Sequence, residues 1–106
     1  MSNLVKITLL LISFCTLVLP IKAQKRVACI GDSVTEGYGI SDSTHNYPAQ
    51  LQKLLGSGFV VGNFGHSGAT LLRKGHNPYH KTKAYNEALS FKPDVIVIAL
   101  GLNDTD

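Results

Sequence analysis

The chain has 106 residues, of which 44% are hydrophobic and 16% are charged, and its formal charge at pH 7 is +3. This composition is typical of one small globular domain and excludes collagen-like, disordered and disulfide-rich chains. Lys6 and Lys22 lie in a leader expected to be removed, which leaves eight Lys and Arg against seven Asp and Glu. The remaining charge of about +1 therefore predicts neither nucleic acid nor an anionic membrane as a partner.

The first 23 residues are typical of a secretory signal peptide. Lys6 supplies the positive end, residues 7–19 form the apolar run, and Ala23 is a small residue suited to cleavage. We expect cleavage after Ala23, a mature chain of residues 24–106, and a secreted or periplasmic protein. A membrane anchor is the weaker alternative, because the run is shorter than the ~20 residues that a spanning helix needs. A lipoprotein site at Cys15 is disfavoured by the bulky residue before it.

Metal and disulfide chemistry find little support in the mature chain. Cys29 is its one cysteine, so no disulfide can form within the chain. His76 and His80 stand four residues apart, but Pro78 between them disfavours the helix that would pair them on one face. We expect no metal and no cofactor.

The mature chain alternates apolar runs with helical segments. Strands are predicted over 27–30, 59–64 and 95–100, and the first and third have the continuous apolar character of a strand in a parallel sheet. A first helix is expected after the cap Asn46 and before Gly56, and a second over 82–90. Four residues of the first helix are expected to share its inward face: Ala49, Leu51, Leu54 and Leu55. The order strand, helix, strand, helix, strand predicts a parallel α/β sheet with helices on both sides.

Small and polar residues follow all three predicted strands. Gly31-Asp32-Ser33 follows the first, Gly65-His66-Ser67-Gly68 the second, and Gly101-Leu102-Asn103-Asp104 the third. The carboxyl ends of parallel strands share one edge, so these segments are expected to meet there. Each alone is an ordinary turn sequence. Together they offer a hydroxyl nucleophile at Ser33, a close backbone amide at Gly68 and a side-chain amide at Asn103, which is what an oxyanion hole for acyl transfer requires.

These three blocks resemble the GDSL, or SGNH, hydrolase superfamily. The resemblance implies Ser33 as nucleophile, with the Ser33 and Gly68 amides and the Asn103 side chain as oxyanion donors. It also implies a flavodoxin-like three-layer α/β/α fold with a parallel sheet, here reaching only the third strand, and an esterase or lipase-like activity on small esters. Residues 63–75 look most like bacterial exported acetylesterases of carbohydrates, including sialate O-acetylesterase-like proteins.

The family's catalytic Asp-x-x-His block is expected beyond residue 106, so the fragment is expected to be inactive alone. Asp42 and His45 have the same internal spacing but fall in the loop after the first strand, where we interpret them as a solvated or rim feature. His66 is expected near Ser33, at the rim of the site. The alternative from another class is a flavodoxin-like module whose loop from Gly31 to Gly39 binds phosphate at a helix start, although Asp32 and Glu36 would repel that ligand.

Overall fold

The computed structural model describes residues 22–105, so the predicted signal peptide up to residue 21 lies outside the described residues. This part of the chain forms a parallel three-stranded sheet with flanking helices, which confirms the predicted fold class. Its strands are β1 (Lys25–Gly31), β2 (Phe59–Gly65) and β3 (Val95–Ala99), and its α-helices are α1 (Ser33–Glu36), α2 (Tyr47–Leu55) and α3 (Lys83–Ser90). Among these residues, no helix combines the length and the apolarity needed to cross a membrane.

The strand order is β2-β1-β3, with β1 in the centre. The register pairs Gly31 with Gly65 on one side and with Ala99 on the other. All three strands therefore end at the same level. The chain leaves β1 toward β2 and then returns across β1 to β3, so the direction of the connections reverses between β1 and β3. Such a reversal is where open α/β sheets hold their ligands.

The helices lie on opposite faces of the sheet. Val61 lines a groove together with residues of α2, whereas the Phe64 ring packs against Phe91 at the end of α3, with ring centroids 5.2 Å apart. Successive side chains of a strand point to opposite faces, so Val61 and Phe64 mark the two sides. The described residues thus form three layers, helix, sheet and helix.

The cap of α2 is as predicted, and of the four residues predicted on its inward face only Leu54 departs, since Ala49, Leu51 and Leu55 are half-buried. The Asn46 side chain accepts a hydrogen bond from the Ala49 backbone N–H at 2.9 Å. Leu54, however, is 85% exposed. Gln52 takes the inward place, because its side chain donates to the Phe59 carbonyl at 2.9 Å and accepts from the Val61 N–H at 2.8 Å. At 100° per residue Gln52 falls on the same stripe as Leu55, while Leu54 falls outside it.

The main apolar cluster lies on the α3 side of the sheet, where Tyr79 packs against Ala69 and Ala84. The Tyr79 hydroxyl donates to the Phe64 carbonyl at 2.5 Å. Burial, with a smaller contribution from Glu87, raises the pKa of this phenol to about 12. Tyr79 therefore stays neutral and fastens the segment that follows β2 to the sheet.

Candidate active site

Ser33 is the first residue of α1, two positions after the end of the central strand. Asp32 is 2% exposed, and its carboxylate accepts a hydrogen bond from the Val34 N–H at 3.0 Å, which starts the helix. The helix ends after one turn because Gly37 adopts a left-handed φ of +92° and donates to the Ser33 carbonyl at 2.9 Å. The pattern Gly-Asp-Ser thus gives a tight strand-to-helix turn that presents Ser33, half-buried, at the edge of the sheet.

Two glycines let α1 lie directly against the strand ends. A Cβ at Gly31 would fall 1.9 Å from the Thr35 Oγ1, and a Cβ at Gly65 would fall 2.2 Å from the Glu36 backbone nitrogen. Neither distance is sterically possible for a side chain. These two positions therefore need glycine, and the close approach fixes where Ser33 stands relative to β2.

The loop after β2 is bound to α1 by side chains from both segments. The Asn63 amide donates to the Thr35 carbonyl at 2.8 Å and accepts from the Gly65 N–H at 3.0 Å. The Glu36 carboxylate accepts from the Ser67 N–H at 2.7 Å and also from the Ser67 hydroxyl. The loop that contains Gly68 is consequently tied to the helix that begins with Ser33.

Residues 66–69 form a β-turn in which the Ala69 N–H donates to the His66 carbonyl at 3.0 Å. Gly68 occupies the third position with a φ of +80°, and Ser67 before it does not have a positive φ. This combination is a type II turn, which favours glycine at the third position. The predicted role of Gly68 as a backbone donor thus falls on a residue whose conformation requires glycine.

The segment after β3 is attached to the other side of the same loop. The Asn103 side-chain amide donates to the Ala69 carbonyl at 3.1 Å. The Asp104 carboxylate accepts from the Leu71 N–H at 2.8 Å and from the Leu72 N–H at 3.3 Å. A primary amide carries two N–H donors, and within residues 22–105 Asn103 uses one of them, in the bond to Ala69. The three predicted residues, Ser33, Gly68 and Asn103, therefore lie in one hydrogen-bonded assembly of three strand ends.

Sequence reasoning missed the residues that hold this assembly together. Glu36, Asn63 and Asp104 carry the contacts between the three segments, and none of them was singled out for that task. One signal was available, since Glu36 stands three positions after Ser33 and Asp104 directly follows Asn103. An acidic residue beside a predicted site residue is a candidate acceptor for backbone N–H groups of a neighbouring loop.

His66, which was predicted near Ser33 at the rim of the site, lies at the start of the loop after β2. Its backbone N–H donates to the Gly31 carbonyl at 2.9 Å, which extends the pairing of β1 and β2 by one bond, and its side chain is half-buried. Cationic residues further along, including Arg73 and Lys74, are exposed. Within residues 22–105 no three His, Cys, Asp or Glu side chains stand close enough together to hold a metal ion.

Asp42 and His45 lie in an exposed 3-10 turn. Their side chains approach to 3.7 Å and are 52% and 70% exposed. The Thr44 hydroxyl and backbone N–H donate to the Asp42 carboxylate and keep its pKa below the usual range. His45 faces an open groove of about 920 Å³ beside α2, and that groove includes none of Ser33, Gly68 and Asn103. The carboxylate thus serves as a cap for its own turn.

A second group of polar side chains lies beneath the turn that carries Ser33. Cys29, Thr35 and Tyr47 meet on the α2 side of the sheet, where Cys29 and Thr35 are both fully buried. Burial raises the pKa of the Cys29 thiol and of the Tyr47 phenol. Both groups are therefore neutral at pH 7, and this layer supports the turn without adding charge to it.

The strand ends of this parallel α/β sheet bring together a serine, a glycine turn and a side-chain amide, at the edge where open α/β sheets hold their ligands. Residues 29–106 match the model of the GDSL-like lipase/acylhydrolase family. Because the match covers most of the chain, the protein belongs to this family.

A curated relative, the acetylxylan esterase of Xylanibacter ruminicola, is 56% identical over 81 residues. The aligned region is 76% of this chain and 17% of the relative, so the chain spans about a sixth of that protein's length. No solved structure gives a significant match.

Proposed function

We propose that the protein hydrolyses carboxylic esters through an acyl-serine intermediate. The Ser33 hydroxyl attacks the ester carbonyl, and its proton passes to a general base. The tetrahedral oxyanion receives hydrogen bonds from the Ser33 and Gly68 N–H groups and from the other N–H of Asn103. The alcohol leaves with the proton, and water then attacks the acyl-serine to release the acid and restore Ser33.

The observation that carries this proposal is the common level of the three strand ends. Gly31, Gly65 and Ala99 are register partners, and neighbouring strands are ~4.8 Å apart. Segments far apart in the sequence therefore meet at one edge of the sheet, on either side of the turn that carries Ser33. Membership of an acylhydrolase family supports the same reaction.

The general base and the acid that orients it are proposed from the family resemblance. An Asp-x-x-His block beyond residue 106 would supply a histidine for the Ser33 proton and an aspartate to hold its tautomer. Asp42 and His45 are not proposed for this role, because their turn is exposed and Asp42 is engaged by Thr44. Without that block, the segment described would have only residual activity, since loss of the base removes on the order of 10⁶ in turnover in a studied serine protease.

The proposed substrate class is an acetyl ester of a carbohydrate. It is supported by the name of the curated relative, an acetylxylan esterase, at 56% identity over 81 residues. The predicted leader, residues 1–23, supports export, which a protein that acts on a polysaccharide outside the cell would need.

A phosphate-binding module is the second candidate, and the charges at the site disfavour it. The buried Asp32 carboxylate accepts the Val34 N–H at the helix start, which is a donor that a phosphate would need. The Glu36 carboxylate, on the same helix, would add repulsion of an anion bound there.

The test uses the intact protein and its Ser33→Ala variant. The wild type should release p-nitrophenol from p-nitrophenyl acetate and be labelled by a fluorophosphonate at Ser33, and the variant should do neither. Peptide mapping by mass spectrometry locates the label. Turnover that survives in Ser33→Ala, with no label at residue 33 of the wild type, would reject the hydrolase.

A further inference from the structure

Glu36 makes its contacts at the residue directly before Gly68. One carboxylate oxygen accepts from both the N–H and the hydroxyl of Ser67, and the N–H contact is 2.7 Å long. Within the described residues, Glu36 is in no ion pair. Its carboxylate is therefore directed at one residue, the one immediately before Gly68.

The geometry of the turn gives this contact a chemical consequence. The Gly68 N–H belongs to the peptide group that joins Ser67 to Gly68, the central peptide of the type II turn at residues 66–69. The Ser67 N–H belongs to the preceding peptide, so its bond to Glu36 sets where the turn stands relative to α1, one residue before the Gly68 N–H.

The rest of the turn is restrained at its far end. Asn103 bonds to the Ala69 carbonyl, and the Ala69 N–H closes the turn onto His66. Asp104 holds the next two N–H groups, those of Leu71 and Leu72. Glu36 supplies the restraint on the near side, from the same helix that presents Ser33.

We propose that Glu36 is a positioning residue, which holds Ser67 so that the Gly68 N–H is aimed at the developing oxyanion. This inference rests on the proposed acyl-serine function. Glu36 touches neither substrate nor the reacting atoms. It links the nucleophile helix to the donor turn, and so fixes the distance between the attacking oxygen and the hydrogen bond that stabilises the charge.

A positioning role predicts losses in kcat rather than in KM, because the Gly68 contact strengthens as the oxyanion forms. Glu36→Ala in the intact protein should lower kcat on p-nitrophenyl acetate by about tenfold or more, the equivalent of one hydrogen bond to a charged group. KM should stay within about threefold. Glu36→Gln keeps an acceptor oxygen for Ser67 and should lose less than Glu36→Ala.

The partner residue supplies a second measurement. Ser67→Ala removes the hydroxyl but keeps the N–H, so its loss should be smaller than that of Glu36→Ala. The double variant should be no slower than Glu36→Ala alone, because both changes remove one contact. Glu87→Ala is the matched control: it removes an exposed helical carboxylate paired with Lys83 at 3.3 Å, and kcat should stay within about twofold.

The outcomes separate this proposal from the function on which it rests. Wild-type protein that labels at Ser33, with kcat of Glu36→Ala within about twofold of wild type, would overturn the positioning role and leave the hydrolase intact. Losses that multiply in the double variant, or that appear only in KM, would also overturn it. If circular dichroism shows Glu36→Ala to be unfolded, the test uses Glu36→Gln and Ser67→Ala instead. A lowered kcat at constant KM in these variants supports the positioning role. An unchanged kcat in both rejects it. Wild-type protein without the Ser33 label would instead reject the hydrolase itself.

Discussion

Replacement of Asn103 by alanine tests the oxyanion assignment most directly, because the structure separates two roles of this side chain. One N–H donates to the Ala69 carbonyl at 3.1 Å and is part of the resting structure. The other is the donor proposed for the transition state. Asn103→Ala removes both, and the two losses appear in different measurements.

The structural loss is small, and the catalytic loss is large. One neutral hydrogen bond contributes about 0.5–1.5 kcal/mol to stability. Ala69 is fully buried, and water cannot readily replace the lost donor. The decrease in the free energy of unfolding should therefore lie near the upper end of that range. Loss of one oxyanion donor should lower kcat by ~10² to 10³, which is about 2.7–4 kcal/mol. KM should change far less, because the donor matters most in the transition state.

The assay is steady-state turnover of p-nitrophenyl acetate by the intact protein, with urea unfolding measured on the same samples. Asn86→Ala, an exposed asparagine on α3, is the control for the substitution itself and should leave kcat unchanged. The double variant Asp42→Ala and His45→Ala should stay within a few-fold of wild type, because that pair lies in an exposed turn. An active Asn103→Ala protein beside an inactive Asp42 and His45 double variant would refute the site described above.

Two further predictions concern packing and processing. Gly65→Ala should lower the free energy of unfolding by about 1–3 kcal/mol in urea titrations, since its Cβ would lie 2.2 Å from the Glu36 backbone nitrogen. Gly58→Ala is the control, with nothing within 4 Å of the added Cβ, and equal stabilities for the two variants would contradict the close approach of α1 to β2. Mass spectrometry of exported protein should find Gln24 at the amino terminus, whereas an intact Met1 in a membrane fraction would identify an anchor instead of a signal peptide.

Much of the fold could be predicted because local patterns and the global sheet agree. The strand predicted over 95–100 is β3 (Val95–Ala99), and the helix predicted over 82–90 is α3, capped by the Thr82 side chain. Continuous apolar runs favour strands of a parallel sheet, and caps limit helices to within a residue. The inward face of α2 was less predictable, because Gln52 packs there through two backbone hydrogen bonds that no hydrophobic pattern records.

The burial of β3 differs from what its sequence favours. Val95, Ile96 and Ile98 form the apolar run of a strand covered on both faces, yet they are 46%, 52% and 63% exposed. Within residues 22–105, β3 is an edge strand with a partner on one side only. The apolar pattern indicates the burial for which a strand is suited. The burial observed depends on which strands and helices lie beside it in the described residues.

The contacts of the site are also of two kinds: some form within one segment of the sequence, and others form between distant segments. Gly-Asp-Ser encodes its own turn, because Asp32 caps the helix that Ser33 begins and both groups are adjacent in sequence. The bond from Ser67 to Glu36 spans 31 positions, and that from Leu71 to Asp104 spans 33. Such pairs arise only when the sheet register sets three loops side by side, so the sequence alone does not show which backbone N–H groups these carboxylates contact. The turn at residues 66–69 is held from α1 on one side and from the segment after β3 on the other. Substitutions that remove the contacts on either side should therefore have a larger effect on kcat than on the free energy of unfolding.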